Sequence, residues 1–150
     1  MEKGAVISDC EKFRYQLWRK WDETKPLVMF LMLNPSTADA NADDPTIRRC
    51  INYAKDWGFG GLYVGNLYAF RTAYPKELKE AGFQRGEFNT ENLLEMKNKC
   101  QKVVCAWGNG EGVPEYITEI FEELHYIDLA KDGTPKHPLY LKKDLEMSLL

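Results

Sequence analysis

The chain has 150 residues, 44% of them hydrophobic and 13% aromatic, which is enough apolar surface for one packed core and too much for a disordered chain. Its net charge of −3, from 20 basic and 23 acidic residues, excludes a polycationic face that holds nucleic acid by electrostatics alone. No run reaches the ~18 apolar residues of a membrane span and no leader-like apolar segment opens the chain, so a cytoplasmic protein is expected.

Phe13 to Arg19 alternate apolar and polar residues, the pattern of a half-buried strand, with Ala5 to Ser8 pairing beside it as an edge hairpin. Leu27 to Leu33 are seven apolar residues in a row, too short for a helix buried all round and suited to a central strand covered on both faces. Asp43-Asp44-Pro45-Thr46 predicts a helix start: Asp44 caps, Pro45 fits the first turn, and carboxylates suit the positive end of the helix. Ile47, Cys50, Ile51, Ala54 and Trp57 then form one apolar stripe, and Gly58 stops the helix.

Gly61 to Leu67 form a second buried strand, so residues 27–67 make a strand-helix-strand crossover. Asn89 or Thr90 is expected to cap a helix running to Cys100, followed by a short strand from Lys102 to Trp107. Pro114 opens a further helix to about Leu124, and Tyr126 to Leu129 are read as the last strand. The pattern predicts one α/β domain over residues 1–150, a three-layer α/β/α sandwich on a mainly parallel sheet.

Cysteines 10, 50, 100 and 105 are 40, 50 and 5 positions apart, which is neither a CxxC pair nor the close spacing of an iron–sulfur motif. They read as reduced structural thiols, with a redox thiol as the alternative. Asp39, Asp43 and Asp44 invite a magnesium reading, but capping accounts for Asp44 and solvation for the others. Neither a metal nor a cofactor is expected.

Ligands on such sheets collect beyond the carboxyl ends of the strands. Four segments fall there: Asn34-Pro35-Ser36-Thr37, Asn66-Leu67-Tyr68-Ala69-Phe70-Arg71, Trp107 to Gly112, and Lys136-His137-Pro138-Leu139-Tyr140. An amide such as Asn34 positions a water or polar ligand, or simply ends a strand. Asn66 offers a donor and an acceptor to the edge of a nucleobase, or is a turn residue. Arg71 can grip a phosphate or carboxylate, or pair with a surface glutamate.

His137 has Lys131, Lys136, Lys142 and Lys143 near it in sequence, and their charge is expected to hold the imidazole neutral, as a donor to developing negative charge. His125, by contrast, reads as a structural residue at a helix end. The glycines of 108–112 match neither dinucleotide nor phosphate-loop spacing and read as a flexible turn.

Several of these segments together resemble a bacterial and phage family known only as a domain of unknown function. The resemblance runs over Arg14-Tyr15, Met32 to Ala38, Asp43 to Cys50, Gly65 to Arg71, Ala106-Trp107-Gly108 and Lys131 to Leu141, nearly the whole chain, and implies no activity. A second resemblance is to the uracil-DNA glycosylase superfamily, carried by the order Asn34-Pro35, Asn66-Leu67, His137-Pro138. It implies that Asn34 orients an attacking water, Asn66 reads the base, and His137 stabilises the departing base. Leu139 or Tyr140 would fill the gap left by an extruded nucleotide.

The expectation is a domain that binds a nucleobase, nucleotide or nucleic acid at the strand ends and hydrolyses an N-glycosidic bond. Asn34 and His137 carry the chemistry, and Pro35, Ser36, Asn66, Tyr68, Arg71, Trp107, Leu139 and Tyr140 contact the ligand. Leu33, which stands where many glycosylases have glycine, and the absence of a general base among these residues favour an alternative, a non-catalytic nucleotide- or partner-binding module. A serine or cysteine hydrolase lacks its G-x-S-x-G elbow.

Overall fold

The computed structural model describes residues 1–150. Seven strands form one sheet: β1 (Glu2–Ile7), β2 (Arg14–Lys20), β3 (Leu27–Met32), β4 (Gly61–Asn66), β5 (Lys102–Cys105), β6 (His125–Tyr126) and β7 (Ser148–Leu149), in the order β1-β2-β4-β3-β5-β6-β7. Four helices accompany them: α1 (Pro45–Asp56), α2 (Pro75–Glu80), α3 (Asn89–Lys99) and α4 (Glu115–Ile120). The fold is α/β.

The sheet is mixed, which corrects the expectation of a mainly parallel one. β4, β3, β5 and β6 run parallel, whereas β1–β2, β2–β4 and β6–β7 are antiparallel. The centre is parallel because α1 carries the chain back across the sheet between β3 and β4. Of the antiparallel pairs only β1–β2 is a direct hairpin, while β2 pairs with β4 across the intervening β3 and α1, and β7 returns to β6 after residues 127–147. Five residues of β3 and all six of β4 are buried, as strands covered on both faces must be.

Helices lie against both faces. On one, Ile47, Cys50, Ile51, Tyr53 and Ala54 of α1 pack on Leu17, Val28, Phe30, Leu62 and Val64. On the other, Leu78, Leu93, Met96 and Ile117, from α2, α3 and α4, pack on Met29, Leu31, Tyr63 and Val103. The start of α1 is as expected: Asp44 Oδ1 accepts from the Ile47 N–H at 2.9 Å and Pro45 opens the first turn. Gly58 follows with φ +84°.

Several elements depart from their expected form. α3 has no side-chain cap: Asn89 lies inside the helix and its Nδ2 donates to the Asn66 carbonyl at 3.0 Å. α4 ends at Ile120, with Phe121 already extended, since Glu122 and Glu123 would have met the negative end of a longer helix. The last core strand is only His125–Tyr126, and β7 pairs with it from the far end of the chain. His125 therefore starts a strand rather than ending a helix.

The N-terminal hairpin forms, but β2 is not half-exposed. It lies between β1 and β4, and its Arg14, Gln16 and Arg19 are buried. Gln16 Nε2 donates to Asn92 Oδ1 at 2.7 Å. Arg19 donates from Nε to Asp43 Oδ1 at 2.7 Å and from Nη2 to the carbonyls of Asp39 and Ala42 at 2.6 and 3.2 Å. Asp43 is thus ion-paired rather than merely solvated. Arg19 ties the 39–43 loop to the sheet, so Arg19→Ala is expected to cost about 3–5 kcal/mol, by removing one partner of a buried ion pair. Urea denaturation measures it, and a loss under 1 kcal/mol contradicts this account.

Candidate functional site

Parallel pairing brings three strand ends to one level. β3 continues into Leu33 and Asn34, β4 ends in Asn66, and β5 runs on to Trp107. The ladder extends past the strands, with Leu67 N donating to Met32 O at 2.9 Å, Tyr68 N to Leu33 O at 3.0 Å and Ala106 N to Leu31 O at 2.9 Å. Above this rim lies a cavity of about 320 Å³ lined by Arg14, Asn34, Ser36, Asp44, Thr46, Asn66, Trp107, Asn109, His137, Leu139 and Tyr140, among others. Asn34, Asn66 and His137 therefore share one hollow, although about a hundred positions separate the first from the last.

Asn34 is oriented by its own loop. Its Nδ2 donates to the carbonyls of Thr72 at 2.9 Å, Pro35 at 3.1 Å and Phe70 at 3.3 Å. Three carbonyl oxygens around one atom settle which end of the amide is nitrogen. The hydrogen-bonding capacity Asn34 retains is the acceptor Oδ1. Its amide also fastens the 70–72 loop, whose Thr72 joins the cavity wall.

Asn66 is the opposite case. It is 1% exposed, and neither Nδ2 nor Oδ1 has a hydrogen-bond partner in the chain. An amide buried without partners costs about 1–3 kcal/mol for each unsatisfied group, so this side chain is poor as a structural element. It combines a donor and an acceptor on a cavity wall.

His137 begins a 3₁₀ turn over Pro138–Tyr140, and its Nδ1 accepts from the Leu139 N–H at 3.2 Å. Nδ1 is therefore the unprotonated nitrogen of the neutral ring, and Nε2 carries the proton. Burial lowers the pKa below its ordinary value, and the nearby Asp44 opposes the shift. The surrounding lysines are not the cause, which corrects the sequence reading. Gly108 makes room for the backbone and Cβ of His137: its φ is +70°, and a Cβ there would lie 3.0 Å from that of His137. Gly108 N also donates to the Pro135 carbonyl at 3.0 Å, tying the end of β5 to the histidine loop. Tyr140, 84% exposed, stands at 5.9 Å from the imidazole, centroid to centroid.

Other expected contacts fall elsewhere. Pro35 does not line the cavity; its carbonyl accepts from Thr72 N and Asn34 Nδ2. Tyr68 packs against Phe83 and donates to Glu111 Oε1 at 3.2 Å, on the face covered by α2–α4. Arg71 Nη1 donates to the Glu11 carbonyl at 3.1 Å, holding the β1–β2 turn rather than a ligand or a glutamate side chain. Ser36, Asn66, Trp107, Leu139 and Tyr140 do line it. The 108–110 turn has three successive residues at positive φ, a defined conformation rather than a loose connection, and it brings Asn109 to the wall.

The sequence reading missed Arg14, Asp44 and Thr46 as wall residues. Asp44 spends both oxygens on backbone N–H groups, those of Ile47 and Ala38. Arg14 is 2% exposed, with its guanidinium pushed down to about 10 chiefly by burial, so it stays charged at neutral pH. The three remote cysteines 50, 100 and 105 are at most partly exposed, and burial raises each thiol, to about 12 for Cys100 and Cys105.

Two measurements test this description. Asn66→Leu removes a buried unsatisfied amide at similar volume, so stability is expected to rise by about 1 kcal/mol; a fall of that size means the amide is bonded after all. Because the folded His137 binds its proton more weakly than the unfolded one, its contribution is complete above the ordinary histidine value of 6.5 and is lost as pH falls below it. His137→Gln is expected to flatten that acid limb, as read by urea midpoints across pH.

The comparisons with known proteins bear on the whole chain rather than on this cavity. No curated protein and no solved structure matches it, and none of its helices is long and apolar enough to cross a membrane. A family model covers residues 14–139, from the buried Arg14 to the cavity residue Leu139. The chain belongs to the family described as protein of unknown function DUF1643.

Proposed function

We propose that this protein binds a nucleobase-containing ligand in the cavity at the strand ends and hydrolyses its N-glycosidic bond, on a three-layer arrangement of the glycosylase type. The observation that carries the reading is Asn66, an amide almost fully buried on the wall with donor and acceptor both unpartnered. A nucleobase edge answers both at once. The volume of about 320 Å³ is at the small end of small-molecule pockets, suited to a base with its sugar. Four free cysteines agree with a reducing compartment such as the cytoplasm.

In this reading Asn34 Oδ1 accepts a hydrogen bond from the attacking water and holds it at the sugar carbon. The C–O bond forms as the C–N bond breaks, the bonding pair leaves with the base, and the water's proton passes to bulk water, which protonates the freed base. His137 Nε2–H donates to the base as negative charge gathers on it, a contact stronger in the transition state than in the ground state. Leu139 and Tyr140 flank the opening. Asn34 cannot remove a proton, so rate rests on leaving-group stabilisation.

One observation favours a second reading, a binding module without chemistry: the single carboxylate on the wall, Asp44, has both oxygens engaged by backbone N–H groups and is poorly placed to act as a base.

The decisive experiment incubates the protein with nucleosides and with oligonucleotides carrying uracil, hypoxanthine or other altered bases, and assays free base. Release is expected, with His137→Ala lowering it about 10²–10³-fold at unchanged circular dichroism, and with Asn66→Ala weakening ligand-induced thermal stabilisation. Stabilisation without release establishes the binding module. Neither stabilisation nor release overturns both readings.

A further inference from the structure

Arg14 reaches the cavity through an irregularity in β2. Along a regular strand, residues 14 and 16 share a face. Here they do not: Gln16 bonds Asn92 on α3, while Arg14 Nη1 donates to the Ala38 carbonyl at 3.0 Å, in the loop before α1. The β1–β2 register shows why. Val6 pairs with Gln16 and Ile7 with Arg14, so Tyr15 is left over as a bulge. Bulges of this kind re-aim a side chain, and this one turns a buried guanidinium to the wall that Asn66 lines.

The Ala38 contact is the one hydrogen bond of that side chain within the protein, and its Nε is buried with no acceptor. The Nε–Nη2 edge is the side of the fork that presents two parallel N–H groups. Two orphan groups, an arginine fork and an amide, thus belong to one cavity. The charged and titratable groups on that wall are Arg14, Asp44, His137 and the phenol of Tyr140; cation and carboxylate offset each other and the imidazole is neutral. Such a wall suits an uncharged acceptor pair better than a phosphate dianion.

Resting on the reading of this cavity as a nucleobase site, we propose that Arg14 is a specificity-determining residue that selects a 6-oxopurine, the base class of guanine and hypoxanthine. Their O6 and N7 are adjacent acceptors that match the arginine fork, whereas adenine replaces O6 with an amino donor and uracil offers no second acceptor beside its carbonyl on that edge. O6 has two lone pairs, so it can accept from Arg14 and from Asn66 Nδ2 together, while the purine N1–H donates to Asn66 Oδ1. Cytosine also has adjacent acceptors, O2 and N3, but its N3 then serves Arg14 and Asn66 with a single lone pair.

Calorimetric titration of the intact protein with guanosine, inosine, adenosine, cytidine, uridine and 7-deazaguanosine tests this without any mutation. Guanosine and inosine are expected to bind at least tenfold more tightly than the rest, 7-deazaguanosine included, because it keeps every group except the N7 acceptor. Arg14→Lys, which keeps the charge and loses the fork, is expected to erase the difference between guanosine and 7-deazaguanosine. Equal binding of those two by the unaltered protein, or preference for a pyrimidine or adenosine, overturns the assignment to Arg14 and leaves the base-binding reading standing. Failure of every nucleoside to bind overturns both.

Discussion

Parallel pairing of β3 with both β4 and β5 is the constraint on which the rest depends. It sets three strand ends at one height and forces their side chains to meet whatever loops cross that rim. Because β3 and β4 are buried on both faces, the backbone at their ends must find hydrogen bonds outside the regular ladder. It does so through Leu67, Tyr68 and Ala106, which continue the pairing. The cavity is therefore framed by backbone that is already committed, with side chains left to determine its chemistry.

The loops over the rim are fastened individually. Arg19 and Asp44 hold the 35–44 segment, the amide of Asn34 holds residues 70–72, and Gly108 holds the histidine loop. Beyond His137, Leu141 is buried, Tyr53 donates to the Lys142 carbonyl and Trp57 to that of Leu145 at 2.9 Å. Each fastening uses a polar group to satisfy backbone that would otherwise be buried alone. Against this economy of partners, four side chains carry buried atoms without one, Asn66, Arg14 at Nε, Asn89 at Oδ1 and His125 at Nδ1, although polar groups this deep normally carry a hydrogen bond. Of the four, Asn66 and Arg14 line the cavity. A site that binds a ligand must keep such groups unspent, at a cost to the stability of the free protein.

The wall is balanced rather than cationic, in keeping with the chain as a whole. Arg14 faces a carboxylate that is itself occupied as a helix cap, and His137 is held neutral by burial. Recognition in this hollow must come from the direction of donors and acceptors more than from charge. That is the regime in which a buried polar pair discriminates strongly between ligands, since the wrong partner leaves a group unpaired.

The amino-acid sequence alone determined what depends on local order: β3 as a run of apolar residues, the start of α1 from Asp44-Pro45, its buried stripe, and the placement of Asn34, Asn66 and His137 at element ends. These rest on periodicity and capping, which are short-range. It disclosed the N-terminal hairpin but neither the antiparallel pairing of that hairpin's β2 with β4 nor β7, because a two-residue strand from the chain end has no pattern of its own and exists only through pairing with β6. Nor did it disclose α2, a six-residue helix with one buried side chain, Leu78.

Arg14 shows the division best. Alternation assigned it to a face with Gln16, and one unpaired residue, Tyr15, moved it to the other. Tyr68 and Arg71 sit on the expected strand end yet turn to Glu111 and Glu11. Which residues stand near the rim follows from local sequence, whereas which of them face the hollow was decided by tertiary structure, since orientation depends on bulges, registers and distant partners that no short window contains.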